Sequence, residues 1–296
     1  MTLTFRQLSS CFAAEVSPVD LREVHDRETL EAIRAGMDEY AVLVFRDQRF
    51  TDDEQFAFAQ RFDGTLQTKS GRSALMKSRL RAGLGDISNL DEDGNLLGTD
   101  SQRRIYQLGN RLWHTDASFQ DPPGRYSMLH ARVIPPVNAD TEFADMRSAY
   151  DALDDETKAK MEGLHAHHSI AYSRQLLGLE LTPEELKAMA GAVQSLVRTN
   201  PRTKRRSVYI AEHITRIMEW PVADGRLFVR DLMEHATRPE FRYCHVWRTG
   251  DLVIWDNLAT MHRGKYFDDT KYVRDMRRVT SLDVDPVAAI GSHLGR

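Results

Sequence analysis

The chain has 296 residues, 41% of them apolar, 28% charged, and a formal net charge of -4. That much apolar material supports a substantial core, and with no Gly-, Pro- or Ser-rich linker a single domain over 1–296 is expected. The near-neutral balance, with no long block of one sign, argues against nucleic acid or an anionic membrane as the main partner. Only Cys11 and Cys244 are present, which excludes a disulfide framework and a cysteine-based zinc site. The first residues carry no apolar signal core, and no run of roughly 18 apolar residues occurs. A cytoplasmic protein is the expectation.

In chain order, Leu30, Ile33 and Met37 at helical spacing predict a helix over 28–39. The apolar run Ala41–Phe45 predicts a buried strand. Thr51 and Glu54 form a capping-box pair at the start of a helix carrying Phe56, Phe58, Ala59 and Phe62. Residues 65–84 then hold Lys69, Arg72, Lys77, Arg79 and Arg81 with no acid from 69 to 81 and poor periodicity. They read as a solvated loop or as a lid over an anionic ligand, since long structureless loops are often functional.

Strands are predicted over 86–90, 125–133, 141–143, 206–211, 241–247, 252–255 and 278–282. Helices are predicted over 145–164, 183–189 (opened by Thr182 and Glu185) and 223–236. Short strands flank the centre and fill the end, and a helical insertion spans about 145–240. The pattern fits a mainly β, α+β fold: a double-sheet jelly roll (double-stranded β-helix) with flanking and inserted helices.

The chemistry starts at His114-Thr115-Asp116. On an extended chain, residues two apart face the same way, so an imidazole and a carboxylate can grip one divalent metal. A second His from elsewhere would complete the 2-His-1-carboxylate triad of non-haem iron oxygenases, which leaves coordination positions open. The pair alone also fits a buried His beside a capping Asp. Three places can supply the second His: the cluster His165, His167 and His168, expected where a helix ends and its dipole favours a cation; His213, a ligand or substrate contact; and His262, between a strand-turn and Gly264. Arg274 and Arg278, four apart in a predicted strand, should share a face, with Arg277 on the other. Two guanidinium groups on one buried face call for anions, and carboxylates suit the bidentate fork. A basic sheet face in water is the alternative.

Taken together, His114-Thr-Asp116, Thr141, Trp255-Asp-Asn257, His262, Arg274 and Arg278 resemble the TauD/TfdA family of Fe(II)- and 2-oxoglutarate-dependent dioxygenases. Val42-Leu-Val-Phe-Arg46, Asp86-Ile-Ser-Asn89, Arg125-Tyr-Ser-Met-Leu129, Asp140-Thr-Glu-Phe143 and Leu196-Val-Arg-Thr199 extend the likeness toward the 2,4-dichlorophenoxyacetate dioxygenase branch. The resemblance implies that His114, Asp116 and His262 hold the iron. It implies that Thr141 and Arg274 hold the distal carboxylate of 2-oxoglutarate, with Trp255 packed nearby, that Arg278 meets the substrate carboxylate, and that Asn110 and Ala117 line the substrate side. O2 is the co-oxidant. Hydroxylation next to an aryl ether oxygen gives a hemiacetal that collapses to a phenol and a 2-oxo acid such as glyoxylate, beside succinate and CO2. Asn200 stands where the family commonly has His. The expected partners are a small anionic aromatic substrate and further copies of the chain. An alkyl sulfonate such as taurine, a zinc hydrolase with the same ligands and a non-catalytic metal-binding jelly roll are the competing readings.

Overall fold

The structure, a computed structural model, describes residues 2–68 and 79–284. Its centre is a seven-stranded mixed sheet in the order Thr4–Gln7, Ala14–Ser17, Val42–Phe45, Leu252–Asp256, Gly124–Val133, Asp275–Leu282, Gly85–Ser88. All neighbours are antiparallel except Ala14–Ser17 against Val42–Phe45. Side chains alternate between its faces. Leu43, Phe45, Met128, Leu252, Ile254 and Val279 point to the outer face, where they meet Ile33 and Met37 of helix Arg27–Tyr40 and Phe58 and Phe62 of helix Asp52–Phe62. Val42, Val44, Leu129, Val253, Trp255 and Met276 point inward and pack on Phe143 and Tyr243 of a three-stranded sheet. Because both faces are covered, Ala41–Phe45 is apolar without alternation. Removing a ring such as Phe62, fully buried, should cost about 3–5 kcal/mol.

The three-stranded sheet runs Arg242–His245, Thr141–Asp145, Thr260–Gly264. It places His262 opposite Phe143, and His114 bridges to His262 through backbone hydrogen bonds of 2.8 and 3.0 Å. Both predicted capping boxes form, at Thr51/Glu54 and Thr182/Glu185.

Two expectations fail between 145 and 240. The long helix over 145–164 is two short ones, Met146–Asp151 and Asp155–Met161, because Asp154 accepts from the Thr157 amide at 2.7 Å and starts a new helix. His165–His168 is then a strand, paired with Ala192–Ser195 and Ile214–Ile217, not a helix end. The region is therefore mixed rather than helical.

Of the basic stretch, Lys69, Arg72 and Lys77 lie outside the described residues. Arg79 pairs with Asp86 and Asp275, and Arg81 with Asp53, so those two cations already have acids. Among the described residues no helix is long and apolar enough to cross a membrane.

Candidate metal centre and substrate cavity

Asp116 opens a turn in which Ala117 takes a left-handed backbone, φ +57°. The turn fits because Gly124 lies against it: a Cβ there would stand 2.8 Å from the Asp116 carbonyl oxygen. Asn257 ties the segment down. Its Oδ1 accepts from the Asp116 amide at 3.1 Å and from Trp255 Nε1 at 2.9 Å, its backbone carbonyl accepts from Thr115 Oγ1 at 2.6 Å, and its Nδ2 donates to Ser127 Oγ at 3.0 Å. Ser127 Oγ in turn donates to Asp116 Oδ2 at 2.7 Å. Thr115 is thus drawn to one side while His114 and Asp116 face the other.

The Nε2 atoms of His114 and His262 each lie 3.9 Å from an oxygen of Asp116. One ligand atom from each of the three buried residues falls within 4.8 Å of the others, and among the described residues this is the group arranged to hold a metal. His114 Nδ1 is 2.7 Å from the Leu112 carbonyl oxygen. A carbonyl can only accept, so Nδ1 carries the proton and Nε2 presents a lone pair. Burial keeps both imidazoles neutral, lowering His114 to about 4 and His262 well below the usual range. Burial works against the Asp116 charge, but Arg278 foremost, helped by the Ser127 hydrogen bond, outweighs it and holds the carboxyl at about 2. Two neutral imidazoles and one carboxylate, close together and deprotonated, are the donor set a divalent first-row metal requires.

A cavity of about 370 Å³ opens beside the triad, lined by His114 and Asp116, by Arg278 and Thr280 from the sheet, and by Tyr106, Asn110, Phe119, Ile170, Arg174 and His213 from the opposite wall. Arg278 Nη1 donates to Asp116 Oδ1 at 2.5 Å. A smaller recess of about 80 Å³ is lined by Arg274, Asn110 and Asn89 among others. The Nε of Arg274 is buried with no hydrogen-bond partner, and burial lowers the group to about 10, with only Asp140 opposing.

The two arginines were expected on one strand face. The strand begins only at Asp275, and its register with Gly124–Val133 shifts between Asp275 and Met276. Alternation does not carry through that irregularity, so Arg274 and Arg278 line two recesses that share Asn110. Arg277 faces away, toward Asp275 and Asp52, as expected. Trp255 packs its ring 4.7 Å from that of His262. Thr141 Oγ1 accepts from Trp247 Nε1 at 2.9 Å and is not among the residues lining either recess. Ala117 is buried at the turn and likewise does not line the cavity.

Of the other histidine candidates, His168 is buried against Ser118 at 3.0 Å and stacks on Tyr209. His213 does reach the site, its ring 5.8 Å from that of His114, but its Nδ1 is engaged with Ser173 Oγ at 2.8 Å. Asn200 lies in a turn, accepting from the amides of Arg202 and Thr203 and donating to Asp38. Ser127, Asn257 and Arg174 escaped the reading of the sequence. Asn257 and Ser127 belong to motifs already visible there, Trp255-Asp-Asn257 and Arg125-Tyr-Ser-Met-Leu129; Arg174 has no local signal.

Residues 4–280 match the family described as taurine catabolism dioxygenase TauD, TfdA family. The chain is 42% identical to the alpha-ketoglutarate-dependent 2,4-dichlorophenoxyacetate dioxygenase of Cupriavidus pinatubonensis, covering 96% of this chain and 99% of that one. It is 34% identical to an (S)-phenoxypropionate/alpha-ketoglutarate-dioxygenase of Sphingobium herbicidovorans, covering 89% and 90%. Among solved structures, AAD-2 in complex with Mn(II) and N-oxalylglycine superposes with a TM-score of 0.87 at 46% identity, covering 96% of this chain and 98% of that one.

Proposed function

The chain belongs to the TauD/TfdA family of Fe(II)- and 2-oxoglutarate-dependent dioxygenases, and from that premise we propose that its substrate is an aryloxyalkanoate such as 2,4-dichlorophenoxyacetate. One observation carries the reading. The cavity beside the triad combines an arginine, Arg278, with aromatic and aliphatic side chains including Tyr106, Phe119, Ile87 and Ile170. A carboxylate and an aromatic ring on one small molecule match that lining.

His114, Asp116 and His262 hold the metal. Iron bound there supplies, with 2-oxoglutarate and O2, the oxidising power that hydroxylates a C–H bond and releases succinate and CO2. The protein contributes position and charge. Arg274, whose buried guanidinium has no carboxylate partner among the described residues, takes the distal carboxylate of 2-oxoglutarate. Thr141 assists, because its hydroxyl accepts from Trp247 and keeps a hydrogen to donate. Trp255 holds the His262 ring in place. Arg278 anchors the substrate carboxylate beside the metal, so that the carbon between carboxylate and ether oxygen is the one presented for oxidation. Hydroxylation there gives a hemiacetal, which collapses to the phenol and glyoxylate. Asn110 borders both recesses, and the turn at Ala117 shapes the substrate side from behind.

We read the two facing sheets as a double-stranded β-helix in a single domain and the protein as a cytoplasmic homo-oligomer; of the 65–84 stretch expected as a lid, 69–78 lie outside the described residues. The second substrate reading is an alkyl sulfonate. It is favoured by a TM-score of 0.75 at 26% identity to a taurine dioxygenase from Burkholderia xenovorans, which covers 95% of this chain and 90% of that one. The test is succinate release and O2 uptake across aryloxyacetates, 2-aryloxypropionates and sulfonates. Turnover of sulfonates alone would overturn the aryloxyalkanoate assignment.

A further inference from the structure

Four arginines line the large cavity among its described residues: Arg81, Arg103, Arg174 and Arg278. Three have carboxylate partners, Arg81 with Asp53, Arg103 with Asp86 at 2.7 Å, and Arg278 with Asp116 at 2.5 Å. Arg174 has none among the described residues. It is 2% exposed, and a cation so far from water is costly unless an anion or a full set of acceptors meets it. The acceptors are incomplete. Nη1 reaches Ser173 Oγ and Nη2 reaches Asn110 Oδ1, both at a long 3.3 Å, and Nε has no partner.

The guanidinium lies between two close neighbours. One contact is the Tyr106 ring, whose centroid lies 4.9 Å from Cζ. The other is Gly109, where an added Cβ would stand 2.1 Å from Cζ. Gly109 thus lets the guanidinium lie directly against the backbone. Asn110 Oδ1, which accepts from Arg174, also joins the Arg174 wall to the boundary between the two recesses. A fixed, buried and incompletely satisfied fork in a ligand cavity is the arrangement that selects carboxylates.

We propose that Arg174 is a second carboxylate anchor for the substrate, acting with Arg278 from the opposite wall and setting the preference for anionic over neutral aryl ethers. This rests on the aryloxyalkanoate reading. Arg278 belongs to a strand next to the metal ligands, whereas Arg174 belongs to helix Ile170–Gln175. A carboxylate held from both sides has its orientation defined as well as its distance, and the aryl ring is then directed along the apolar part of the cavity.

The experiment compares 2,4-dichlorophenoxyacetate with its methyl ester in the iron-loaded enzyme with 2-oxoglutarate, reading dichlorophenol, which both yield. Wild type should prefer the acid. Arg174→Gln should cut the acid-over-ester ratio of kcat/KM by roughly tenfold or more, chiefly through the KM of the acid, because a charge-assisted contact is lost. Arg174→Lys should restore part of the ratio. Gly109→Ala should lower it without removing the charge, by displacing the guanidinium. An unchanged ratio in Arg174→Gln, with both rates intact or both reduced alike, would overturn the proposal and leave Arg174 a packing residue. If Arg174→Gln does not fold, as judged by its thermal melt, Arg174→Lys decides by the same ratio. If wild type leaves the acid untouched while releasing succinate with a sulfonate, the substrate reading itself has failed and the anchor's stated ligand falls with it.

Discussion

The two walls of the cavity are built on different electrical principles. The sheet wall is compensated from within. Asp116 is met by Arg278 and Ser127, and the segment that carries it is pinned by Asn257. The helical wall, with Tyr106, Asn110, Arg174 and His213, holds a buried cation with no carboxylate and an imidazole that burial keeps neutral. The sheet wall is ordered by its own hydrogen bonds, as a metal site must be if its ligands are to converge. The helical wall keeps an unmet charge, which favours an anion arriving from outside. Rigidity and receptivity are thus assigned to separate secondary structures across one cavity.

The largest effect should come from the ligands on the sheet side. His114→Ala, Asp116→Ala and His262→Ala should each abolish iron-dependent succinate formation while keeping a cooperative thermal melt, since each removes one of three protein ligands outside the apolar core. Near-normal turnover in any one would remove that residue from the triad. Next is Arg278→Ala, which should lower kcat/KM for aryloxyalkanoates by one to two orders of magnitude, as expected for losing about 1.5–3 kcal/mol of charge-assisted binding. Binding of Mn(II) and 2-oxoglutarate, followed by fluorescence titration, should persist. Undiminished product formation would place the anchor elsewhere.

Asn257→Ala tests whether internal compensation matters to the metal. It touches no ligand side chain, yet metal affinity should fall roughly 10–100-fold, as when supporting partners of ligands are lost. Equal affinity would show that the turn at Ala117 suffices by itself. Arg274→Lys keeps the charge and loses the fork, so the apparent KM for 2-oxoglutarate should rise about tenfold while the KM of the aryl substrate stays put. If instead the substrate KM moves, the two recesses do not divide the ligands as assigned. The smallest change is Thr141→Val. It should raise the 2-oxoglutarate KM only a few-fold, and it strands Trp247 Nε1, so stability measured in urea should fall by about 1–3 kcal/mol.

Much of this was legible in the chain. His114-Thr-Asp116 works locally because residues two apart on extended backbone share a face, and the capping boxes at Thr51 and Thr182 involve only residues three apart. The unbroken apolar run of Val42–Phe45 likewise reports its own burial. Where the reading failed, a local signal met a local interruption. Asp154 ended a helix whose apolar pattern continued, and the irregularity at Asp275 separated Arg274 from Arg278.

The sequence by itself therefore determined the ligand types and, through the motifs it shares with a family, the chemistry, but not the strand Thr260–Gly264 that presents His262. Only the tertiary structure decided which charges are met and which are left open. His262 reaches His114 through a backbone bridge across the chain, Asn257 reaches Asp116 through a side-chain hydrogen bond, and Arg174 stays uncompensated because no described acid is brought to it. Periodicity and capping act over a few residues, so a sequence displays them. Charge compensation in a buried cavity depends on which distant side chains the fold brings within a few ångströms, and nothing local to Arg174 encodes that.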